Sequence, residues 1–303
     1  HNFSPNSYRV PPGASKLRYV KQTAPGTLLT TQEVTALVQD APAGSYWYIG
    51  GEPNNPAVLV LPSEYADAFN HYFVSIKAAD PSAKITGPSI LNWDFTCVGC
   101  LGYESGQSWL TQFISAYESK YGQKPPVDVW AIDVYPIDWT NTPNNDPARK
   151  AFYQGEGGFF LHSEIAVAQV TGMRQYLDTL AEYADTPIWI TEIAVHVGYD
   201  GWVFDSPLDP VGAYHWDKMS NYLHEVLDGF EANAIALNIE KWFFFKSWKN
   251  IIDVGNDGYM GIIFFDDEGS SASRNCLGDA YRARSLGLPR LGCDSAGNTV
   301  AVQ

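Results

Sequence analysis

The feature that most constrains the fold is an alternation of short apolar segments with amphipathic segments of helical spacing. Apolar segments that alternate with helices, and that are apolar on both faces, are typical of parallel strands in βα units. The predicted strands are residues 17–22, 45–50, 83–90, 127–136, 187–195, 240–248 and 260–267. The predicted helices are residues 30–41, 62–80, 108–122, 163–184, 212–232 and 276–287.

The length of the chain, taken with this alternation, favours one architecture. At 303 residues it has the size of one (β/α)8 barrel, and residues 2–6 would be an eighth strand, truncated at its start. We therefore predict an α/β chain that folds as a single TIM-barrel domain over residues 1–303. A doubly wound open sheet is the alternative. It is disfavoured because no glycine-rich phosphate-binding turn follows the first strand.

Two glutamates occupy equivalent positions at the carboxyl ends of predicted strands, where TIM barrels carry their active sites. Glu52 follows the second strand, and Glu192 lies in the fifth. An offset of three strands predicts that their side chains face each other across the barrel mouth. Retaining glycosidases need two carboxyl groups about 5–5.5 Å apart, one as proton donor and one as nucleophile. A single glutamate would be a surface acid, but this pair, with Trp and Tyr nearby, favours catalysis.

Two short motifs carry a resemblance to a known family. The segments "GEPN" (residues 51–54) and "PIWITE" (residues 187–192) resemble the paired signatures of the clan A glycoside hydrolases. Residues 63–89 and 127–136 resemble segments of the branch that includes fungal and bacterial endo-β-1,3-glucanases. The similarity runs from about Leu17 to about Phe265.

The resemblance implies a retaining (β/α)8 enzyme that hydrolyses β-linked polysaccharide of the β-glucan type. In this reading Glu52 is the acid/base and Glu192 is the nucleophile. Tyr135 would hydrogen-bond Glu192, and Trp248 would stack on a sugar ring.

The chain departs from the family pattern at two positions. Gly51 stands where the motif has Asn, which binds the sugar 2-hydroxyl in the family, and Asp133 stands where His is frequent. A non-catalytic carbohydrate-binding barrel that has lost hydrolysis is therefore the alternative function. Asn54, Asn92 or Asp133 would replace the missing contact in an active enzyme. The substrate-binding candidates are Asn54, Asn92, Trp93, Asp133, Tyr135, His196 and Trp248.

Charge restricts the class of partner. A net charge of −15 and a pI near 4.7 argue against nucleic acid and anionic membranes, whose phosphates this chain would repel. A neutral oligo- or polysaccharide is compatible with such a surface. The sequence has neither a His-Glu-x-x-His nor a Gly-x-Ser-x-Gly motif, which argues against a zinc protease and a serine hydrolase. We predict a protein that uses no metal and no cofactor. We also expect a monomer.

Four cysteines occur, at Cys97, Cys100, Cys276 and Cys293. Their unbalanced spacing, without a nearby His, disfavours a zinc site. Two local disulfides, one within each pair, are the better prediction. Disulfides form in oxidising compartments, so we expect a secreted or extracytoplasmic protein.

Overall fold

The structure is a computed structural model of the chain. It describes residues 18–55, 59–91, 93, 105–135, 163–193, 216–245 and 273–302, and the backbone of residues 196–197 and 259–260. The predicted strand at residues 2–6 and residues 261–267 of the last predicted strand lie outside the described residues.

Strands and helices alternate along the described chain as predicted. The strands are β1 (Arg18–Val20), β2 (Tyr46–Ile49), β3 (Lys84–Leu91), β4 (Val129–Val134), β5 (Ile188–Ile193), β6 (His196–Val197), β7 (Ile239–Phe244), β8 (Tyr259–Met260), β9 (Leu291–Cys293) and β10 (Thr299–Ala301). The helices are α1 (Thr31–Gln39), α2 (Pro62–Ala79), α3 (Gly106–Tyr121), α4 (Ser163–Asp178), α5 (Trp216–Asn233) and α6 (Cys276–Ser285). Within the described ranges, every helix is too short or too polar to cross a bilayer.

One sheet accounts for six of these strands, in the order β1-β2-β3-β4-β5-β7. The pairs β1–β2, β2–β3 and β3–β4 are parallel. Parallel strands joined by helices confirm the predicted α/β class, with six strands of a (β/α)8 arrangement among the described residues.

The third strand has an irregularity that its sequence explains. The register between β3 and β4 shifts between Thr86 and Ser89, at the dipeptide Gly87-Pro88. A Cβ atom on Gly87 would lie only 2.7 Å from Cε3 of Trp130, so the close packing requires glycine. Proline has no N–H to donate to a ladder, and it is tolerated at a bulge for that reason.

Helix α4 ends at Asp178, six residues before the predicted end. Arg174 explains the early end, because its guanidinium donates to the carbonyl oxygens of Tyr183, at 2.9 Å, and Thr186, at 2.8 Å. These contacts hold the segment after the helix in turns. Pro187 follows and starts the segment that leads into β5.

Two pairs of short antiparallel strands were not predicted. Strand β9 pairs with β10, and β6 pairs with β8. The predicted strand at residues 260–267 overlaps β8 at Met260, which pairs antiparallel with His196. Strands of two or three residues are too short for hydrophobic alternation to reveal.

A disulfide joins Cys276, at the start of α6, to Cys293, at the end of β9, with a Cα–Cα distance of 5.3 Å. This pairing confirms the local disulfide predicted for the second pair of cysteines. Cys97 and Cys100 lie outside the described residues, so their pairing stays a prediction.

The described chain divides into two compact units, each built from several stretches. The first unit comprises the residues up to Asp133, with Gly172–Thr191 and Leu237–Lys241. Its helices α2 and α3 pack through buried aromatic rings around Phe113, whose centroid lies 5.0 Å from that of Tyr65 and 5.6 Å from that of Phe69. The prediction of a single domain stays a prediction.

The second unit comprises Val134–Thr171, Glu192–Ala236 and Trp242–Gln303. It includes α5, α6, β9 and β10. Arg284 of α6 binds Glu231 of α5 through two hydrogen bonds of 2.9 and 2.7 Å. The hydroxyl oxygen of Ser220 accepts a bond from the backbone N–H of Cys293 at 3.1 Å. These contacts, with the disulfide, fix β9 against the two helices.

Candidate active site

Glu52 lies in a tight turn at the carboxyl end of β2. Gly50 has φ +81°, a left-handed conformation that glycine adopts without strain, and a Cβ there would lie 2.9 Å from the ring of Tyr65. The backbone N–H of Asn55 donates to the carbonyl oxygen of Glu52 at 3.0 Å. The side-chain amide of Asn55 also donates to Oε2 of Glu52 at 2.6 Å. The turn and its own asparagine therefore orient the Glu52 carboxyl.

Asn54, in the same turn, connects Glu52 to the end of β3. Its Nδ2 donates to the carbonyl oxygen of Leu91 at 2.9 Å, and its Oδ1 accepts from the N–H of Leu91, also at 2.9 Å. The side chain is buried, so this pair of hydrogen bonds fixes the turn against the sheet. The predicted role of Asn54 in sugar binding stays a prediction.

The Glu52 carboxyl has a second carboxyl as its neighbour. Asp133, near the end of β4, is 1% exposed, and its carboxylate oxygen lies within 4.8 Å of one of Glu52. Burial raises the pKa of Glu52 above its ordinary value, although the hydrogen bond from Asn55 acts in the opposite direction. A raised pKa keeps a glutamate protonated at higher pH, as a proton donor requires.

Asp133 also binds a buried hydroxyl on the next strand. The Thr191 hydroxyl donates to Oδ1 of Asp133 at 2.6 Å, and Thr191 Oγ1 lies 2.7 Å from the hydroxyl oxygen of Ser89. All three side chains are buried. Three strands of the first unit, β3, β4 and β5, thus each supply one member of a hydrogen-bonded row that reaches Glu52 through Asp133.

Glu192 directly follows Thr191 and belongs to the second unit. The phenol of Tyr135 donates to Oε2 of Glu192 at 2.7 Å, and both side chains are buried. A hydrogen bond that is donated to a carboxylate stabilises the ionised form. This is the hydrogen bond that the family resemblance implied, and it suits a carboxylate that acts as a nucleophile.

The remaining predicted site residues have other placements. Trp93 is 2% exposed, and its ring packs against α4 near Gly172 and 5.5 Å from the ring of Tyr176. It therefore lies in the core, and its predicted sugar contact stays a prediction. The backbone of His196 forms part of β6, while its side chain lies outside the described part. Asn92 and Trp248 lie outside the described residues.

Three residues of this site were not predicted from the sequence: Asn55, Ser89 and Thr191. Asn55 had a usable signal, because it directly follows the motif residues and asparagine often binds a neighbouring group in turns. Ser89 and Thr191 had none, since a single hydroxyl inside an apolar strand does not reveal its partner on another strand.

Gly51 has a structural reason to be glycine. A Cβ atom at this position would lie 2.6 Å from the hydroxyl oxygen of Tyr19, and the next nearest atom, Cζ of Tyr19, lies at 3.8 Å. The hydroxyl of Tyr19 thus occupies the space that the Asn of the family motif would need. Gly51 and Tyr19 are therefore sterically linked, because a side chain at position 51 would clash with the Tyr19 hydroxyl.

We expect Gly51→Asn to lower the free energy of unfolding by about 1–3 kcal/mol, the usual cost of overpacking. In a Tyr19→Phe background the hydroxyl is gone, and the same substitution should cost clearly less. Urea denaturation of the four proteins of this double-mutant cycle measures the coupling. Equal costs of Gly51→Asn in both backgrounds would show that the Tyr19 hydroxyl does not determine this position.

Comparison with known proteins identifies solved structures that have a similar fold. No protein-family model and no curated protein matches this chain. A GH128 (subgroup II) endo-β-1,3-glucanase from Sorangium cellulosum is 19% identical, with a TM-score of 0.52, over 89% of this chain and 80% of its own. A glucosidase from Croceicoccus marinus is 15% identical, with a TM-score of 0.53, over 94% of this chain and 54% of its own. The resemblance predicted from the motifs is confirmed at the level of the fold.

Proposed function

We propose that the protein is a retaining glycoside hydrolase that cleaves β-linked polysaccharide of the β-glucan type. Glu52 is the acid/base and Glu192 the nucleophile of a double displacement. The similar structure from Sorangium cellulosum belongs to an endo-β-1,3-glucanase, which makes internal β-1,3 linkages the first ones to test.

The observation that carries this proposal is the contrast between the two glutamates. Burial raises the pKa of Glu52, which favours the protonated form of this side chain. Glu192 accepts a hydrogen bond from the Tyr135 phenol, which favours the ionised form. Two carboxyl groups whose surroundings favour opposite protonation states are what acid and nucleophile require.

The mechanism assigns one task to each group. In the first step the Glu192 carboxylate attacks the anomeric carbon, while Glu52 gives its proton to the leaving glycosidic oxygen. A covalent glycosyl-enzyme results. In the second step the ionised Glu52 takes a proton from water, whose oxygen displaces Glu192 from the anomeric carbon. The two inversions together retain the β configuration.

A screen of soluble β-glucans, mannans and xylan, with product analysis by NMR, tests the proposal. We expect a β-glucan, with β-1,3 linkages first, to be cleaved internally, and the first product formed to have the β-anomeric configuration. An α-anomeric first product would contradict the double displacement.

A carbohydrate-binding barrel without activity is the second candidate, and Gly51 in place of the motif Asn favours it. If the protein binds a glycan of this panel but hydrolyses none, the non-catalytic binding function takes the place of the proposed enzyme. Gly51 alone does not decide between the two, because Tyr19 fills the space of the missing side chain.

We further propose that the protein is a secreted or extracytoplasmic monomer that works without a metal or cofactor. The disulfide between Cys276 and Cys293 supports an oxidising compartment. Light scattering measures the oligomeric state, and activity after dialysis against EDTA tests the metal.

A further inference from the structure

A row of hydrogen-bonded side chains, Ser89, Thr191 and Asp133, reaches the carboxyl of Glu52. Its geometry bears on whether Asp133 or Glu52 holds a proton. Ser89, Thr191 and Asp133 are buried in the first unit. Their oxygens are joined by contacts of 2.7 Å, from Ser89 to Thr191, and 2.6 Å, from Thr191 to Asp133. Asp133 in turn is hydrogen-bonded to Glu52. The row thus connects two neutral hydroxyls to a pair of carboxyl groups.

The hydroxyl of Thr191 has one hydrogen and three acceptors within reach, one of which is the hydroxyl oxygen of Ser89 at 2.7 Å. Oδ1 of Asp133 is at 2.6 Å and the carbonyl oxygen of Ile132 at 3.3 Å. A separation of about 2.5–2.7 Å is typical of a hydroxyl that donates to an ionised oxygen, so the hydrogen points to Asp133. Thr191 then accepts from Ser89. The direction of the row is Ser89 to Thr191 to Asp133, and it ends on Oδ1 of Asp133, which accepts the bond.

A hydrogen bond donated to Oδ1 stabilises the ionised form of Asp133, which favours Glu52 as the holder of the pair's proton. Two carboxyl groups this close do not both ionise readily, because like charges repel strongly in a buried site. Asp is also the stronger acid of the two, with a reference pKa of about 3.9 against about 4.3 for Glu. The Asn55 amide occupies Oε2 of Glu52, which leaves Oε1 to carry the proton.

We propose that Asp133 is a positioning residue for Glu52. Held as an anion by the hydroxyl row from Ser89 through Thr191, it accepts the hydrogen bond of the protonated Glu52 carboxyl, and so keeps Glu52 in the form that donates. The catalytic use of that proton rests on the proposed function, whereas the location of the proton does not.

Other titratable side chains lie on the same elements and must be considered. They are Arg18 and Tyr19 on β1, Tyr46 and Tyr48 on β2, Lys84 on β3, and, one or two residues beyond the row in the chain, Tyr135 and Glu192. Lys84 forms an ion pair with Asp128. Tyr19 and Tyr48 stack with ring centroids 5.1 Å apart, and tyrosines stay neutral in the pH range where carboxyls titrate. Among the described residues of these strands Glu192 is the one further acid, so its titration must be followed separately.

Thr191 offers a matched pair of variants. Thr191→Val keeps the shape but removes the hydroxyl, whereas Thr191→Ser keeps the hydroxyl. In Thr191→Val the Asp133 anion loses its donor, so the proton shifts toward Asp133 and Glu52 ionises at lower pH. We expect the titration midpoint of the Glu52 carboxyl to fall by about one pH unit in Thr191→Val and to stay near the wild-type value in Thr191→Ser.

Carbon-13 NMR of protein labelled at the Glu side-chain carboxyl measures these midpoints. Glu52→Gln and Glu192→Gln identify the two signals. The same midpoint in Thr191→Val, Thr191→Ser and wild type would overturn the proposal. A thermal melt of each variant verifies that the protein is folded before titration.

Asp133→Asn provides a second test that does not involve Thr191. If Asp133 is an anion, its loss removes a repelling charge, and the Glu52 midpoint falls as in Thr191→Val. An unchanged midpoint would mean that Asp133 was the protonated partner, and would overturn the proposal.

An activity assay separates this inference from the proposed function. Where the wild type turns over glucan, the alkaline limb of the pH–rate profile should move down together with the NMR midpoint, because the donor must be protonated. If the wild type turns over no glycan while the midpoints behave as expected, the proposed function fails and the proton location stands.

Discussion

We expect Glu192→Gln to lower kcat/KM for β-glucan by at least about four orders of magnitude, since loss of a catalytic nucleophile can lower turnover about 10⁶-fold. An amide has no negative charge with which to attack the anomeric carbon, so the covalent path is lost. The change is nearly isosteric and keeps an oxygen for the Tyr135 phenol, which donates to Glu192 at 2.7 Å. The loss should therefore appear in turnover and not in folding.

Covalent trapping makes this expectation specific to Glu192. An activated 2-deoxy-2-fluoro β-oligoglucoside slows the second step, so the wild-type protein should gain the mass of one glycosyl group on the peptide that contains Glu192. The Glu192→Gln protein should gain none. Glu118→Gln, on the exposed face of α3, is the matched control and should react as the wild type does. A label on another residue in the wild type would assign the nucleophile elsewhere.

Tyr135→Phe calibrates the contribution of the phenol. A hydrogen bond to a charged group contributes about 1.5–3 kcal/mol, so we expect a tenfold to hundredfold loss, well short of that in Glu192→Gln. Loss of the hydroxyl leaves the nucleophile in place, and trapping should still occur.

The order of strands and helices could be predicted because it depends on local patterns. Helix α2 was predicted to within one residue at its end, since Pro62 marks its start and apolar residues follow at helical spacing. Glu52 and Glu192 were predicted as site residues because strand ends carry the active site in this architecture. The early end of α4 could not be predicted, because it depends on where the Arg174 guanidinium reaches in the folded chain.

The roles of the polar residues around Glu52 depend on contacts between distant parts of the chain. The amide of Asn54 binds Leu91, 37 positions away. Thr191 meets Ser89 across a separation of 102 positions. Hydrophobic periodicity identifies which face of a strand is buried, but it does not identify which buried hydroxyl meets which carboxyl. The chemical environment of the predicted acid therefore required the structure.

Gly51 is a second position whose role depends on a contact that the sequence does not reveal. The sequence marks it as a departure from the family motif, and a departure at that position favours lost activity. The structure adds that the Tyr19 hydroxyl lies where the side chain would be. The effect of the residue at position 51 therefore depends on the residue at position 19. Its consequence for function has to be measured by changing both.

We expect Glu52→Gln to separate substrates by the quality of their leaving group. With β-glucan, whose leaving alkoxide needs a proton, kcat/KM should fall by at least about two orders of magnitude. With a dinitrophenyl β-oligoglucoside the first step needs no proton, so kcat/KM should stay within about threefold of the wild type, and a glycosyl-enzyme should accumulate because no base activates water in the second step.

Stopped-flow measurement of dinitrophenol release tests this expectation directly. A burst followed by slow turnover is the expected trace for Glu52→Gln, and Glu192→Gln should give no burst. If both substrates lost activity equally in Glu52→Gln, the residue would contribute to binding or folding instead of proton transfer. The raised pKa of Glu52 would then reflect its burial alone, and the proton donor would have to be sought at another strand end.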